Sequence, residues 1–100
     1  MRAVIDKQKA RSIVRQALDG LERADGEVGP LVILDDLTLE RPFGWVFFWD
    51  SRKHRETGDF IDSLAGNAPF IVDRRDGSLH ETGTACPIED YLEEYEKQRK

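Results

Sequence analysis

Along the first quarter of the chain, apolar residues return at every third or fourth position. Ala10, Ile13, Val14, Ala17, Leu18 and Leu21 fall on one stripe, and Lys7, Lys9, Arg11, Arg15 and Arg23 fill the other face. That period predicts an amphipathic helix over 4–23. Gly20 lies near its end, and Asp25-Gly26 followed by Gly29-Pro30 stops it and makes a loop. From Leu31 the pattern changes. Leu31-Val-Ile-Leu34 opens a strand that Leu37-Thr-Leu39 continues, and Asp35 and Asp36 interrupt the apolar run. Two successive carboxylates there suggest a bulge or an exposed edge.

The strand reaches Arg41-Pro42-Phe43-Gly44, a turn that leads into the aromatic run Trp45-Val-Phe-Phe-Trp49 and ends at Asp50. Proline suits the second position of a type I turn, and Gly44 then supplies the left-handed residue of a three-residue hairpin loop. Such a loop sets Arg41 opposite Trp45, Leu39 opposite Phe47 and Leu37 opposite Trp49. Because side chains alternate along a strand, Leu37, Leu39, Trp45, Phe47 and Trp49 are expected on one face, and Thr38, Val46, Phe48 and Asp50 on the other. The first face is the natural seat of a helix. Two arrangements remain open for the second. Either one helix covers each face, or both helices sit on the tryptophan side and leave Val46, Phe48 and Ile71 as an exposed patch of the kind that marks a partner surface.

Residues 51–68 form a long polar connection in which Phe60, Ile61 and Leu64 can anchor a helical turn; loops of this length in compact domains tend to be functional. Pro69-Phe-Ile-Val-Asp73 is the next strand, and Asp76-Gly77 signals a two-residue hairpin turn that pairs Arg75 with Ser78. Phe70, Val72 and Leu79 are then expected on one face, with Ile71, Asp73, His80 and Thr82 on the other. Pro87 opens a final helix whose positive end Glu89 and Asp90 complement, with Ile88, Tyr91, Leu92 and Tyr95 as its buried stripe and a fraying tail over 97–100. The predicted architecture is α+β, a single domain over residues 1–100, arranged as helix, four-stranded antiparallel sheet, helix.

Composition narrows the function. A chain of 100 residues has room for one core. Its net charge of −5 argues against nucleic acid or an anionic membrane as the main partner, because both need a positive footprint. Cys86 is the single cysteine, so no internal disulfide forms and a reducing compartment is the natural setting. The first residues lack an uninterrupted apolar core and no run approaches a membrane span, so a cytoplasmic protein is expected.

Candidate chemistry is sparse. His54 and His80 stand in no metal-binding spacing. Cys86 precedes a proline at a helix start, where a thiolate is favoured, but no base is evident in the sequence. Ser12, Ser51, Ser63 and Ser78 occur in no nucleophile-elbow context, and Gly66-Asn67-Ala68-Pro69 is a turn rather than a phosphate loop. Asp35, Asp36, Asp73 and Asp76 lack calcium-loop spacing. A hydrolase using His54 or His80 is therefore the weakest reading, and no catalytic residue, cofactor or metal ligand is assigned. The pattern suits a binding domain instead. Its candidate partner surface comprises Asp35, Asp36, Val46, Phe48, Asp50, Arg52, Glu56 and Asp59, an aromatic outer face rimmed by charge.

Several segments together also resemble a known family. Leu34-Asp-Asp-Leu-Thr-Leu-Glu-Arg41, Gly44-Trp-Val-Phe-Phe-Trp49, Thr57-Gly-Asp-Phe60, Leu64-Ala-Gly-Asn-Ala-Pro69, Asp76-Gly77 and Gly83-Thr-Ala-Cys-Pro-Ile-Glu-Asp-Tyr91 are similar to the immunity protein 35 family, which includes YrhB-like proteins. The likeness runs from about Val4 to Tyr95. It implies a non-enzymatic immunity protein of a bacterial polymorphic toxin system, whose partner is a cognate toxin. A stress-related chaperone role, linked to YrhB-like proteins, is the alternative it carries. No nucleic-acid or membrane partner is implied, and assembly as a homodimer stays open.

Overall fold

In a computed structural model, which describes residues 5–24, 30–52 and 68–99, two helices enclose a set of short antiparallel strands. In chain order these are α1 (Lys7–Ala24), β1 (Leu31–Ile33), a 3-10 turn (Asp35–Leu37), β2 (Leu39–Arg41), β3 (Gly44–Phe47), β4 (Trp49–Ser51), β5 (Phe70–Asp73), β6 (Leu79–Glu81) and α2 (Ile88–Arg99). The four-stranded sheet runs β2-β3-β5-β6, and β1 pairs with β4 in a separate ladder. The expected α+β class is what the chain adopts.

α1 begins at an N-cap. The Asp6 carboxylate accepts the Lys9 N–H at 2.8 Å, which satisfies one of the helix's free donors. Its apolar stripe then buries Ala10, Val14 and Leu18 completely against Leu31, Ile33, Trp45, Phe47, Phe70 and Val72. Arg15 ties the helix to the first strand. Its guanidinium donates to the Leu31 carbonyl at 2.6 Å, to Glu22 at 2.6 Å and to Asp19 at 3.0 Å, and Glu22 also accepts the Leu31 N–H at 3.0 Å.

α2 covers the opposite face. Leu92 packs with Phe43, Val46 and Ile71, and Leu39, Phe48, Ile88 and Tyr95 close around them. Of the two open arrangements, the structure takes one helix per face. A polar contact fixes α2 there: the Tyr95 hydroxyl donates at 2.6 Å to the carboxylate of Asp73, which is only 1% exposed. Asp73 also accepts the Arg75 N–H at 2.9 Å, so one buried carboxylate organises both the β5–β6 turn and the helix. Tyr95→Phe is expected to cost about 1.5–3 kcal/mol in urea unfolding, because the hydrogen bond it removes is to a charged group. An unchanged midpoint would show that apolar packing alone docks α2.

Two predicted registers differ from those observed, with different consequences. Arg41 pairs with Gly44, Glu40 with Trp45 and Leu39 with Val46. The loop is therefore two residues, Pro42-Phe43, and not three. The slip of one residue moves Leu39, expected with the tryptophans, to the α2 face. The shorter loop allows Phe43 to fold back into the α2-side core, where it is fully buried and meets Tyr95 edge-on at 5.1 Å. Burying an aromatic side chain outweighs the local turn preference. The second hairpin pairs Val72 with Leu79 and Ile71 with His80, so the Asp76-Gly77 turn is wider than two residues and closes with the Gly77 N–H on the Asp73 carbonyl at 2.8 Å. That slip is two residues, so Phe70, Val72 and Leu79 still face α1.

Candidate partner-binding surface

The 3-10 turn at Asp35–Leu37 is the hinge between the two ladders. Ile33 pairs with Trp49 and Leu39 with Val46, and the Leu34 N–H donates to the Phe48 carbonyl at 2.8 Å. Residues 35–38 thus loop out opposite Phe47 alone. The turn closes through the Leu37 N–H on the Leu34 carbonyl at 2.9 Å and the Thr38 N–H on the Asp35 carbonyl at 3.2 Å. This extrusion pushes Asp35, Asp36 and Leu37 into solvent. The expectation of a bulge at the paired aspartates holds, in the form of a full helical turn.

Asp35 is held from α1. Arg11 donates Nε to Oδ1 at 2.8 Å and Nη2 to Oδ2 at 3.0 Å, a two-pronged contact. This hydrogen bonding, with the positive charge behind it, holds the Asp35 carboxyl below its usual range and raises the Arg11 guanidinium. A carboxyl depressed in the folded state contributes stability above its unfolded pKa of about 3.9 and loses it as pH falls through the folded value. Both groups are exposed, so the contribution is about 1 kcal/mol or less. Arg11→Met is expected to raise the Asp35 titration followed by NMR, and the stability difference from wild type should vanish in acid. A titration that does not move would show that Arg11 leaves Asp35 untouched.

The structure divides the predicted surface. Asp35 and Asp36 follow Leu34, whose N–H pairs with the carbonyl of half-buried Phe48, so all three lie at one end of the β1–β4 ladder with exposed Leu37. Arg52 is exposed at the other end, its N–H donating to the Pro30 carbonyl at 2.8 Å, roughly 13 Å away at strand rise. Val46 and Asp50 are corrections. Val46 lies under α2 with no exposed surface, and Asp50 is equally buried, with Oδ1 accepting the Ser51 N–H at 2.7 Å. Neither side chain can meet a partner directly. Glu56 and Asp59 lie outside the described residues. Leu37, expected in the core, belongs to the surface at 38% exposed; it lies within the extruded turn, where strand alternation no longer holds.

Other polar groups gather at β6 and α2. Ser78 Oγ lies 2.7 Å from His80 Nε2, and the His80 ring lies 5.0 Å from that of Tyr95. Ser78 and His80 are near neighbours on one strand. Strand alternation already placed Asp73 and His80 on one face and Tyr95 in the helix stripe, but their meeting depends on how α2 docks. Among the described residues, no group of three or more His, Cys, Asp or Glu side chains can hold a metal, and no helix is long and apolar enough to cross a membrane.

Comparison with known proteins places this geometry. The chain is 53% identical over 62 residues to the uncharacterized protein YrhB of Escherichia coli (strain K12), a stretch that covers 60% of this chain and 66% of that protein, just under two thirds of its length. No solved structure matches. The family model for immunity protein 35 matches residues 8–98, from the first helix through both ladders to α2. The chain belongs to the immunity protein 35 family.

Proposed function

We propose that this protein binds and neutralises a bacterial toxin of a polymorphic toxin system, in the cytoplasm, by occupying the toxin and without catalysis of its own. The observation that carries this reading is the family match across residues 8–98. The extruded turn supports it with a surface: an exposed leucine that follows two exposed aspartates. An apolar anchor with a charged rim suits protein recognition. At a net charge of −5, the protein favours a basic toxin domain, since complementary charge speeds encounter and sharpens specificity.

The direct test is a pull-down with the product of the neighbouring gene. Capture of a toxin-domain protein supports the proposal; a neighbour that is no toxin, with no toxin-domain protein bound, overturns it. Within the complex, the double change Asp36→Lys and Leu37→Ala is expected to weaken binding by about 10- to 100-fold while the melting temperature holds. Unaltered affinity would move the interface elsewhere. Asp50→Lys does not probe the surface, because it sets a lysine in a buried position and destabilises the fold. A stress chaperone would instead suppress aggregation of unrelated clients, an activity that a dedicated immunity protein lacks.

A further inference from the structure

The far edge of the sheet carries a second surface. β6 ends the four-stranded sheet, and its hydrogen bonding shows which way its backbone points. The Asp73 N–H donates to the Ser78 carbonyl and the Thr82 N–H to the Pro69 carbonyl, both at 3.0 Å. In an antiparallel ladder the bonded pairs alternate, so Ser78, His80 and Thr82 address β5. Leu79 and Glu81 therefore direct their N–H and carbonyl groups away from the sheet. Among the described residues, no strand pairs with that side of β6.

Beside this edge lies a groove of about 220 Å³ between β6 and α2. His80, Glu81, Tyr91, Glu94, Tyr95 and Gln98 contribute to its wall. Glu81 alternates with His80 and turns its side chain to the α1 face with Leu79, so Glu94 supplies the acidic side chain of the wall, beside three ring-bearing residues. Gln98 donates to Glu94 at 3.1 Å, which steadies that carboxylate on the exposed side of α2. Where the groove continues past His80 it meets Arg75, whose guanidinium turns back to Asp73 at 3.3 Å. The negative charge of the groove therefore lies at Glu94. Carboxylates flanked by aromatic rings attract a guanidinium or an ammonium, by charge and by the ring faces.

We infer that β6 and this groove bind an extended, arginine- or lysine-bearing segment of a partner protein. The segment adds as a strand to the outer side of β6 and sets a cationic side chain between β6 and α2. Backbone pairing supplies affinity, and the acidic, aromatic groove supplies the preference for a basic residue. This inference rests on the reading that the protein acts by binding another protein, and it gives that partner a chemistry: a basic strand. The surface differs from the Asp35–Leu37 turn, so one toxin can engage either or both.

The test uses the full chain and two synthetic peptides, one alternating arginine with threonine and valine, the other with glutamate in place of arginine. NMR titration is expected to shift the amides of Leu79 to Thr82 and of Glu94 with the arginine peptide alone. Glu81→Pro removes an outward N–H and no bond to β5, so the edge is capped while the sheet remains. Glu94→Lys reverses the charge of the groove. Each variant is expected to weaken the arginine peptide at least tenfold while the amide spectrum stays native-like. Equal binding of both peptides, no binding by the arginine peptide at millimolar concentration, or full affinity in both folded variants overturns the inference. So does a concentration-dependent dimer that Glu81→Pro dissolves, since the edge would then serve a second copy of this chain. None of these outcomes depends on the toxin, whose capture is read separately by pull-down.

Discussion

Gly44→Ala is expected to remove much of the domain's stability, roughly 3–5 kcal/mol out of the 5–15 kcal/mol typical of a folded domain. Gly44 opens β3, the strand between β2 and β5, and pairs with Arg41 on one side and Asp73 on the other. Its φ is +150°, and a Cβ there would lie 2.0 Å from the Val72 carbonyl oxygen and 3.0 Å from the Arg74 nitrogen. Those neighbours are backbone at the end of the β3–β5 ladder and cannot turn aside as a flexible side chain could. Relief would require β5 to move away from β3, breaking the pairing that sandwiches Trp45 and Val72 beneath α1. Urea unfolding reads the effect. A loss below about 0.5 kcal/mol, the range of an ordinary surface change, would mean that β3 does not approach β5 this closely.

Phe47→Ala should fall in the same class, about 3–5 kcal/mol, whereas Phe48→Ala should cost about 1–2 kcal/mol and leave a folded protein. The two residues are adjacent and identical, so the contrast isolates their environments. Phe47 has no exposed surface and sits under α1 among Val14, Leu18 and Val72. Phe48 points to the opposite face, is half-buried at the margin of the α2-side core, and marks the rim of the extruded turn. Chemical denaturation of both variants decides the matter. Equal losses would seal the α2 face over Phe48 and remove that ring from the proposed surface.

Much of the fold was legible in the pattern of residues. The stripe of α1 has three fully buried members where the spacing put them, and Leu92 of the final helix is buried as expected. Trp45, Phe47 and Trp49 share the α1 face, and Val46 and Phe48 share the other, because alternation along one uninterrupted aromatic run depends only on that run. The helix at the end outlasts its expected fraying, running to Arg99. Errors arose where one strand had to be set against another. A pairing is fixed by the loop between the strands, and the Pro42-Phe43 loop is one residue shorter than its turn residues predict. A slip of one exchanges faces, as Leu39 shows, and a slip of two does not, as Leu79 shows.

The candidate surface divides along the same line. The pair of aspartates announced an interruption by its charge, and the interruption is real. Whether Val46 was surface or core depended on where α2 docks, and no residue within the aromatic strand carries that information. Asp50 shows the limit of a rule drawn from residue type: an aspartate at a strand end is usually solvated, yet here it is buried.

The sequence by itself determined the two helices, the alternating faces of the aromatic run, the acidic character of the chain and its kinship, because each depends on neighbours within a few positions or on the whole composition. Only the tertiary structure decided that the helices take opposite faces, that the extruded turn exposes Leu37, that Phe43 belongs to the core, and that β6 ends the four-stranded sheet beside α2. Each of those depends on which surfaces meet across the fold. Apolar burial drives that choice, and it is settled by the chain as a whole rather than by any one stretch.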